Sequence, residues 1–346
     1  MNVRGNLKAY VLKDINKLVY EEIPKPNVDI SKGEVLIKVK AAGVCGSDIP
    51  RIFTQGTYHY PTIIGHEFAG KVVEAKDDEL LGKRVGVFPL IPCMKCSQCK
   101  ARRYEMCSDY SYIGSRCDGA FAEYVKVPET NIIPIPENVS YEAAAMMEPM
   151  AVAVHAIRQI KPRRDETVAV CGMGTIGMLV TMFLLEMGIK DVIVFANKEH
   201  QRKKAVELGV DPANLGLKDR PIDVFFECVG TNETINWALN LTAPGGRVML
   251  VGNPASDVEL DKNTYWKILR KQLTLKGTWN SSYAMDGFQQ FGSPDDWHYV
   301  LERLSNGRID PTKLITHRLP LEELKTGLYI MKDKSEDYIK VMGVFK

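Results

Sequence analysis

Four of the chain's eight cysteines fall within the fifteen residues from Cys93 to Cys107, where Cys93, Cys96, Cys99 and Cys107 form the pattern C-x2-C-x2-C-x7-C. Thiols at this density could make a reactive centre, a disulfide knot or a metal site. In a reducing compartment, closely spaced cysteines bind metal more often than they pair as disulfides. Four thiolates on short loops can close a tetrahedron about zinc, and a closed four-sulfur shell leaves no position for substrate. The cluster therefore reads as a structural zinc site, with redox or iron–sulfur chemistry as the alternative.

A catalytic zinc needs fewer protein ligands and an open position. A thiol, an imidazole and a carboxylate suited to that task stand in three separate segments: Cys45 in GVCGSD, His66 in GHEFAG and Glu148 in MMEPM. Each also has a plain reading, as a core cysteine, a satisfied polar histidine and a glutamate capping a turn before proline. Spacing alone does not separate the two readings.

A third signal is Gly172-Met173-Gly174-Thr175-Ile176-Gly177, a full G-x-G-x-x-G. Between a strand and a helix, such glycines permit a tight turn, let backbone approach a pyrophosphate and pack helix on strand. The helix N-terminus adds free N–H groups and a partial positive charge. An acid about 20 residues further on would take the adenosine ribose of NAD. Here VIVFANKEH places Ala196 at that point, followed by Asn197 and Lys198. Lys198, with Arg202 one helical turn on, suits a 2′-phosphate, so NADP is favoured over NAD.

These residues need a scaffold, and 346 residues are enough for two domains. Up to Pro149 the chain is β-rich, with GEVLIKVKAAGVCG, FAGKVVEA, KRVGVFPL and FAEYVKVP as short runs punctuated by Gly and Pro. Beyond it, strand and helix periods alternate (ETVAVCG, IGMLVTMFLLEMG, DVIVFA, EHQRKKAVELG, IDVFFECVG), which predicts a parallel doubly wound sheet in an α/β fold. The segments DDWHYVLERLSNG, LEELKTGLYIM and YIKVMGVF break that rhythm and are assigned back to the first domain. GRVMLVG and QLTLKGTW are expected as edge strands able to pair between subunits.

The net charge of +2 and the dispersed basic residues argue against nucleic acid as a partner. A signal-peptide core is absent from MNVRGNLKAYVLKDINK, and so is any run of about 18 apolar residues, so no membrane association and a cytoplasmic location are expected.

In order, GVCGSD, GHEFAG, the four-cysteine lobe, DGAFAEYVKVP, MEPMAVAVHA and GMGTIG resemble the zinc-dependent medium-chain alcohol and polyol dehydrogenases across essentially the whole chain. CGSDIPRIF, HYPTIIGHEFAG and YIGSRCDGAFAEY are most similar to the polyol-phosphate branch. The resemblance implies a GroES-like catalytic domain of residues 1–152 and 292–346, with a structural zinc lobe near 92–109, and a Rossmann domain of residues 153–291. It also implies two zinc ions per subunit and a homodimer or homotetramer.

By the same resemblance, Cys45, His66 and Glu148 hold the catalytic zinc, with Glu67 beside them as a ligand that exchanges with water or Glu148. Asp48 would hydrogen-bond the far nitrogen of His66, and Ser47 would carry the alcohol proton outward. Zinc would lower the pKa of the substrate hydroxyl, and hydride would pass to the nicotinamide. A polyol phosphate such as galactitol 1-phosphate would need cations, for which Arg51 and Arg116 are the candidates, with His59 and Tyr60 for the hydroxyls.

An unphosphorylated, sorbitol-like polyol or threonine is the alternative substrate. A non-catalytic zinc- and nucleotide-binding regulator is the reading from another class, but it would have no use for an open site at Cys45, His66 and Glu148. Two features depart from the family pattern: the missing ribose acid, and the short KDDELLGKRV loop, read as a trimmed surface hairpin away from the ligands.

Overall fold

The computed structural model describes residues 5–216, 219–285 and 294–346. The chain divides into two units, one of residues 1–148 with 282–346 and one of residues 149–281. These divisions, after 148 and 281, fall four and ten residues before those expected at 152 and 291.

In the first unit, apolar alternation builds a seven-stranded sheet around Glu34–Gly43, ten residues that are buried along most of their length. The order is Ile132–Pro134, Arg84–Val87, Glu67–Glu74, Glu34–Gly43, Lys340–Val344 and Ile315–Leu319, with Tyr124–Pro128 also paired to Glu34–Gly43. A three-stranded sheet of Leu18–Pro24, Asn6–Leu12 and Thr62–Ile63 packs its apolar residues into the same core as Val39, Phe68 and Val341.

The tail closes this unit. Leu324, Leu328 and Met331 of the helix Leu324–Asp333 join that core, and Trp297 of Asp296–Ser305 packs edge-on against Phe88 at 5.6 Å. The last strand, Lys340–Val344, runs antiparallel to Glu34–Gly43 and sets Met342 opposite Gly43, while Glu67 lies opposite Gly43 on the other side. The end of one central strand thus brings together residues from near the start and from the end of the chain.

The KDDELLGKRV loop is a tight hairpin, in which Asp77 accepts from the Glu79 N–H and Gly82 takes φ +81°. The cysteine lobe is closed at its base by the antiparallel pair Leu90–Ile91 and Ser111–Tyr112.

The second unit carries a parallel sheet ordered Val192–Phe195, Val168–Cys171, Ile222–Glu227, Thr242–Leu250, Thr274–Gly277. A parallel bridge from Val194 to Leu215 adds a sixth position beyond Val192–Phe195, which completes the doubly wound order 3-2-1-4-5-6. The strand order reverses beside Val168–Cys171, the position at which such sheets bind dinucleotides.

GRVMLVG proves to be interior, because Thr242–Leu250 pairs with strands on both sides. The hydrophobic run alone does not distinguish an interior strand from an edge. Thr274–Gly277 is an edge, and all four of its residues are exposed. Among the described residues, no helix is long and apolar enough to cross a membrane.

Candidate active site and metal centres

The four cysteines of the lobe converge. Their sulfurs lie within 4.8 Å of one another, with Cys93 and Cys99 at 4.0 Å and Cys96 and Cys107 at 3.9 Å. None is in a disulfide. A tetrahedron with Zn–S bonds of about 2.3 Å has edges of about 3.8 Å, so the donor set and spacing fit zinc. The backbone already favours thiolates: N–H groups of Cys99 and Ser108 draw the Cys96 thiol down to about 5. Burial pushes Cys99, packed among the other sulfurs, up to about 12. A bound cation would offset that cost for the whole cluster.

The second group is Cys45, His66 and Glu67, whose ligand atoms also lie within 4.8 Å of one another. Cys45 stands in the turn between Glu34–Gly43 and the helix Asp48–Phe53. The turn is fixed by Asp48 Oδ2, which accepts from the Cys45 N–H at 3.0 Å, and the Ser47 hydroxyl donates to Cys45 Sγ at 3.3 Å.

His66 and Glu67 follow Gly65, which adopts φ +101° and is pressed against Gly119: a Cβ on Gly119 would lie 2.3 Å from the Gly65 carbonyl oxygen. The bare backbones let the GHEFAG loop dock and aim His66 inward. Glu67 then enters its strand opposite Gly43.

The electrostatics are those of a buried charged site. Burial would raise the Asp48 carboxyl, but His66 and Arg51 outweigh it and hold the group below its ordinary value. Burial would likewise lower His66, yet Asp48 and Cys45 raise it well above the usual imidazole range. His66 Nδ1 is 3.4 Å from Asp48 Oδ1, close enough for a charge pair, but it makes no hydrogen bond. The Asp48 oxygens also accept from the Cys45 N–H and from Arg51 at 3.0 Å. A half-buried thiol beside a buried carboxylate and a buried imidazole fits a divalent cation.

Glu148, in the first turn of the helix Met147–Ile160, receives the Tyr112 hydroxyl at 3.1 Å. Burial raises its carboxyl to about 7; His66, Lys340 and Tyr112 oppose the rise and Glu67 adds to it. Glu67 thus stands within the compact trio, with Glu148 close enough to interact with both His66 and Glu67.

Two residues were not anticipated. Tyr112 packs edge-on to His66 at 5.6 Å while bonding Glu148. Lys340, 1% exposed, donates to Glu67 Oε2 and to the Val44 carbonyl. Its sequence signal is a lysine inside the otherwise apolar run YIKVMGVF.

The proposed substrate cations already have partners. Arg51 bonds Asp48. The Arg116 guanidinium lies 4.4 Å from the Tyr58 ring centroid and 4.5 Å from that of Tyr110, and donates to the Tyr110 carbonyl and the Tyr58 hydroxyl. His59 contacts the Arg116 carbonyl and Thr62. Tyr60 lines a groove with Lys13, Glu21 and Asp118.

In the second unit, Gly172 leaves the strand Val168–Cys171 with φ +95°, and Gly174 caps the helix Thr175–Glu186. A Cβ on Gly177 would lie 1.9 Å from the Gly172 carbonyl oxygen, while the space around Gly174 is open to 4 Å. The first contact shows helix packed on strand, and the second shows room for an approaching group. Past the next strand, Lys198 caps the helix Glu199–Glu207, and Arg202 donates to the Ala196 carbonyl and to Glu199.

Comparison with known proteins agrees with this arrangement. Residues 31–137 match the alcohol dehydrogenase GroES-like domain, and residues 175–306 match the zinc-binding dehydrogenase model. Galactitol 1-phosphate 5-dehydrogenase of Escherichia coli K12 is 32% identical over 301 residues, covering 82% of this chain and 85% of that protein. The chain belongs to the zinc-dependent medium-chain alcohol dehydrogenases.

Two crystal structures extend the comparison. A dehydrogenase from E. coli CFT073 complexed with NADH superposes with a TM-score of 0.87 at 27% identity, covering 98% of this chain and 99% of that one. A zinc-binding dehydrogenase from Sinorhizobium meliloti 1021 bound to NADP gives 0.85 at 27% identity, covering 99% and 100%. Zinc and a nicotinamide dinucleotide are the cofactors of this family, and the chain has the GroES-like and Rossmann domains that go with them.

Proposed function

We propose that this chain oxidises a secondary hydroxyl of a polyol phosphate such as galactitol 1-phosphate, passing hydride to NADP, and uses one catalytic and one structural zinc ion per subunit. The observation that carries the reading is the convergence of Cys45, His66 and Glu67 within 4.8 Å, with Glu148 interacting alongside. Zinc, when bound, supplies Lewis-acid polarisation of the hydroxyl. Cys45, His66 and a carboxylate hold it, Asp48 fixes the turn that presents Cys45, and Ser47 is placed to pass the alcohol proton toward solvent. The backbone of Gly172 to Gly177 receives the pyrophosphate, and Lys198 and Arg202 favour the 2′-phosphate.

The phosphate assignment rests on similarity to a galactitol 1-phosphate dehydrogenase, on Arg51 in the helix Asp48–Phe53 and on Arg116. Both arginines have internal partners, which favours an unphosphorylated polyol as the second reading. Turnover on galactitol 1-phosphate, galactitol and sorbitol with NADP and NAD decides between them. Preference for the phosphate ester, lost in Arg51→Ala or Arg116→Ala, supports the first reading. Equal kcat/KM on sorbitol removes it. The edge strand Thr274–Gly277, exposed at all four residues, is the surface through which a second copy would pair.

A further inference from the structure

Glu227 is a fully buried carboxylate that belongs to neither metal centre. It ends the strand Ile222–Glu227, which pairs with Val168–Cys171 on the side where the order of the parallel sheet reverses. The crevice that receives a dinucleotide in such a sheet opens between these two strand ends. Gly172 follows one strand, and the turn 228–230 follows the other. Burying a carboxylate is costly unless it is hydrogen-bonded, and here a single oxygen carries every bond. Oε1 accepts from the Val229 and Gly230 N–H groups at 2.8 Å each and from the Thr234 hydroxyl at 2.9 Å. Oε2, also buried, has no hydrogen-bond partner among the described residues.

The turn that Oε1 holds is wedged between glycines. A Cβ on Gly172 would lie 2.4 Å from Val229 Cγ2 and 3.1 Å from the Cys228 carbonyl carbon. On the other side, a Cβ on Gly252 would lie 2.2 Å from the Gly230 nitrogen and 2.5 Å from the Val229 carbonyl carbon. The main chain ties the same three strand ends: the Cys228 N–H donates to the Cys171 carbonyl at 2.8 Å, and the Glu227 carbonyl accepts from Val251 at 2.8 Å and Gly252 at 2.9 Å.

We propose that Glu227 is a positioning residue for the nicotinamide dinucleotide. By holding the Val229 and Gly230 N–H groups it keeps the turn seated against Gly172, so that the glycine loop offers its backbone in the shape the pyrophosphate requires. This rests on the reading of residues 172–177 as the dinucleotide loop. Without the acceptor, two N–H groups lose their partner and the turn leaves its seat to find water. The role is one of reach rather than charge. A glutamine oxygen can accept from all three donors, and its amide nitrogen would stand at Oε2, where no bond is lost.

The test uses the zinc-loaded full-length protein. Binding of NADPH and NADH is followed by fluorescence titration, and urea denaturation without cofactor shows that each variant is folded under the titration conditions. Glu227→Ala is expected to weaken the tighter dinucleotide by roughly tenfold or more. Glu227→Asp, which keeps the charge but draws the oxygen back from the turn, should weaken it by roughly threefold or more. Glu227→Gln, which keeps the reach and removes the charge, should bind within about twofold of the unaltered protein.

A folded Glu227→Ala protein that loses only its urea midpoint and binds as tightly as before overturns the proposal, because a merely structural carboxylate would behave in that way. A Glu227→Gln protein that binds as weakly as Glu227→Ala also overturns it. If Glu227→Ala does not fold, the other two variants decide: Glu227→Asp must bind more weakly than Glu227→Gln, and equal or reversed affinities refute the role. Gly174→Ala serves as the control for the loop. If it binds as tightly as the unaltered protein, or if the unaltered protein binds neither dinucleotide, the loop reading falls and the proposal with it. Where Gly174→Ala loses binding and the Glu227 variants do not, only the role of Glu227 is removed.

Discussion

Gly174 and Gly177 stand three residues apart in one loop, and the structure gives them different tasks. At 177 a methyl group would lie 1.9 Å from the Gly172 carbonyl oxygen. Attractive contact is best near about 3.5 Å, so helix and strand end would have to separate by roughly 1.5 Å. Overpacking costs about 1–3 kcal/mol, and a clash with backbone that no rotamer can relieve belongs at the upper end. In a unit of this size each kcal/mol lowers Tm by about 2–4 °C or somewhat more.

At 174 a methyl group meets nothing within 4 Å, and the backbone, φ −79° and ψ −166°, is open to any residue. Gly174→Ala should cost no more than about 0.5–1 kcal/mol, through the weaker N-cap. It does occupy the space through which a pyrophosphate must approach, so affinity should fall at least about tenfold, or 1.4 kcal/mol. Urea denaturation without cofactor, together with fluorescence titration by NADPH and NADH, separates the two effects. Gly177→Ala should lose stability foremost, and Gly174→Ala should lose binding with its midpoint nearly unchanged. Equal stability losses, or a Gly174→Ala protein that binds as tightly as the unaltered one, would refute the assignment.

Cys107→Ser should lower the unfolding midpoint and release the lobe zinc, whereas Cys45→Ser should keep the fold and abolish turnover; metal analysis with thermal melts checks both. The Asp295 carboxylate, 2.6 Å from His298 Nδ1, raises that imidazole against the opposing effect of burial. A raised folded value means the stabilisation is complete below the ordinary value of about 6.5 and is lost as pH rises through the folded one. His298→Gln should therefore cost more stability at about pH 5.5 than at about pH 8.5 in matched urea titrations, and an equal cost would contradict the pairing. Leu275→Asp on the exposed edge Thr274–Gly277 should reduce the assembled mass in light scattering if that edge joins subunits.

How much of the site was legible depended on how local its chemistry is. The four cysteines and the glycine loop were readable because each is one short segment whose residue types and spacing state its task. Cys45, His66 and Glu67 were legible as motifs, but their meeting depends on Glu67 lying opposite Gly43 in the sheet, which no single segment contains. The interior place of Thr242–Leu250 was hidden because a central and an edge strand can share one hydrophobic run. Arg51 and Arg116 read as free cations because their partners, a carboxylate one turn away and two tyrosine rings, are found only by folding.

Lys340 was the hardest residue to read, since its contact spans 273 positions. Yet it left a trace that physics could have used. A lysine within an apolar strand must find an acid, and a strand that closes the sheet beside Gly43 can reach only the acids at that end. Glu67 is the one facing Gly43 in register. The same constraint that hides the pair from local reading thus identifies Glu67, rather than Glu148, as the acid that the last strand reaches.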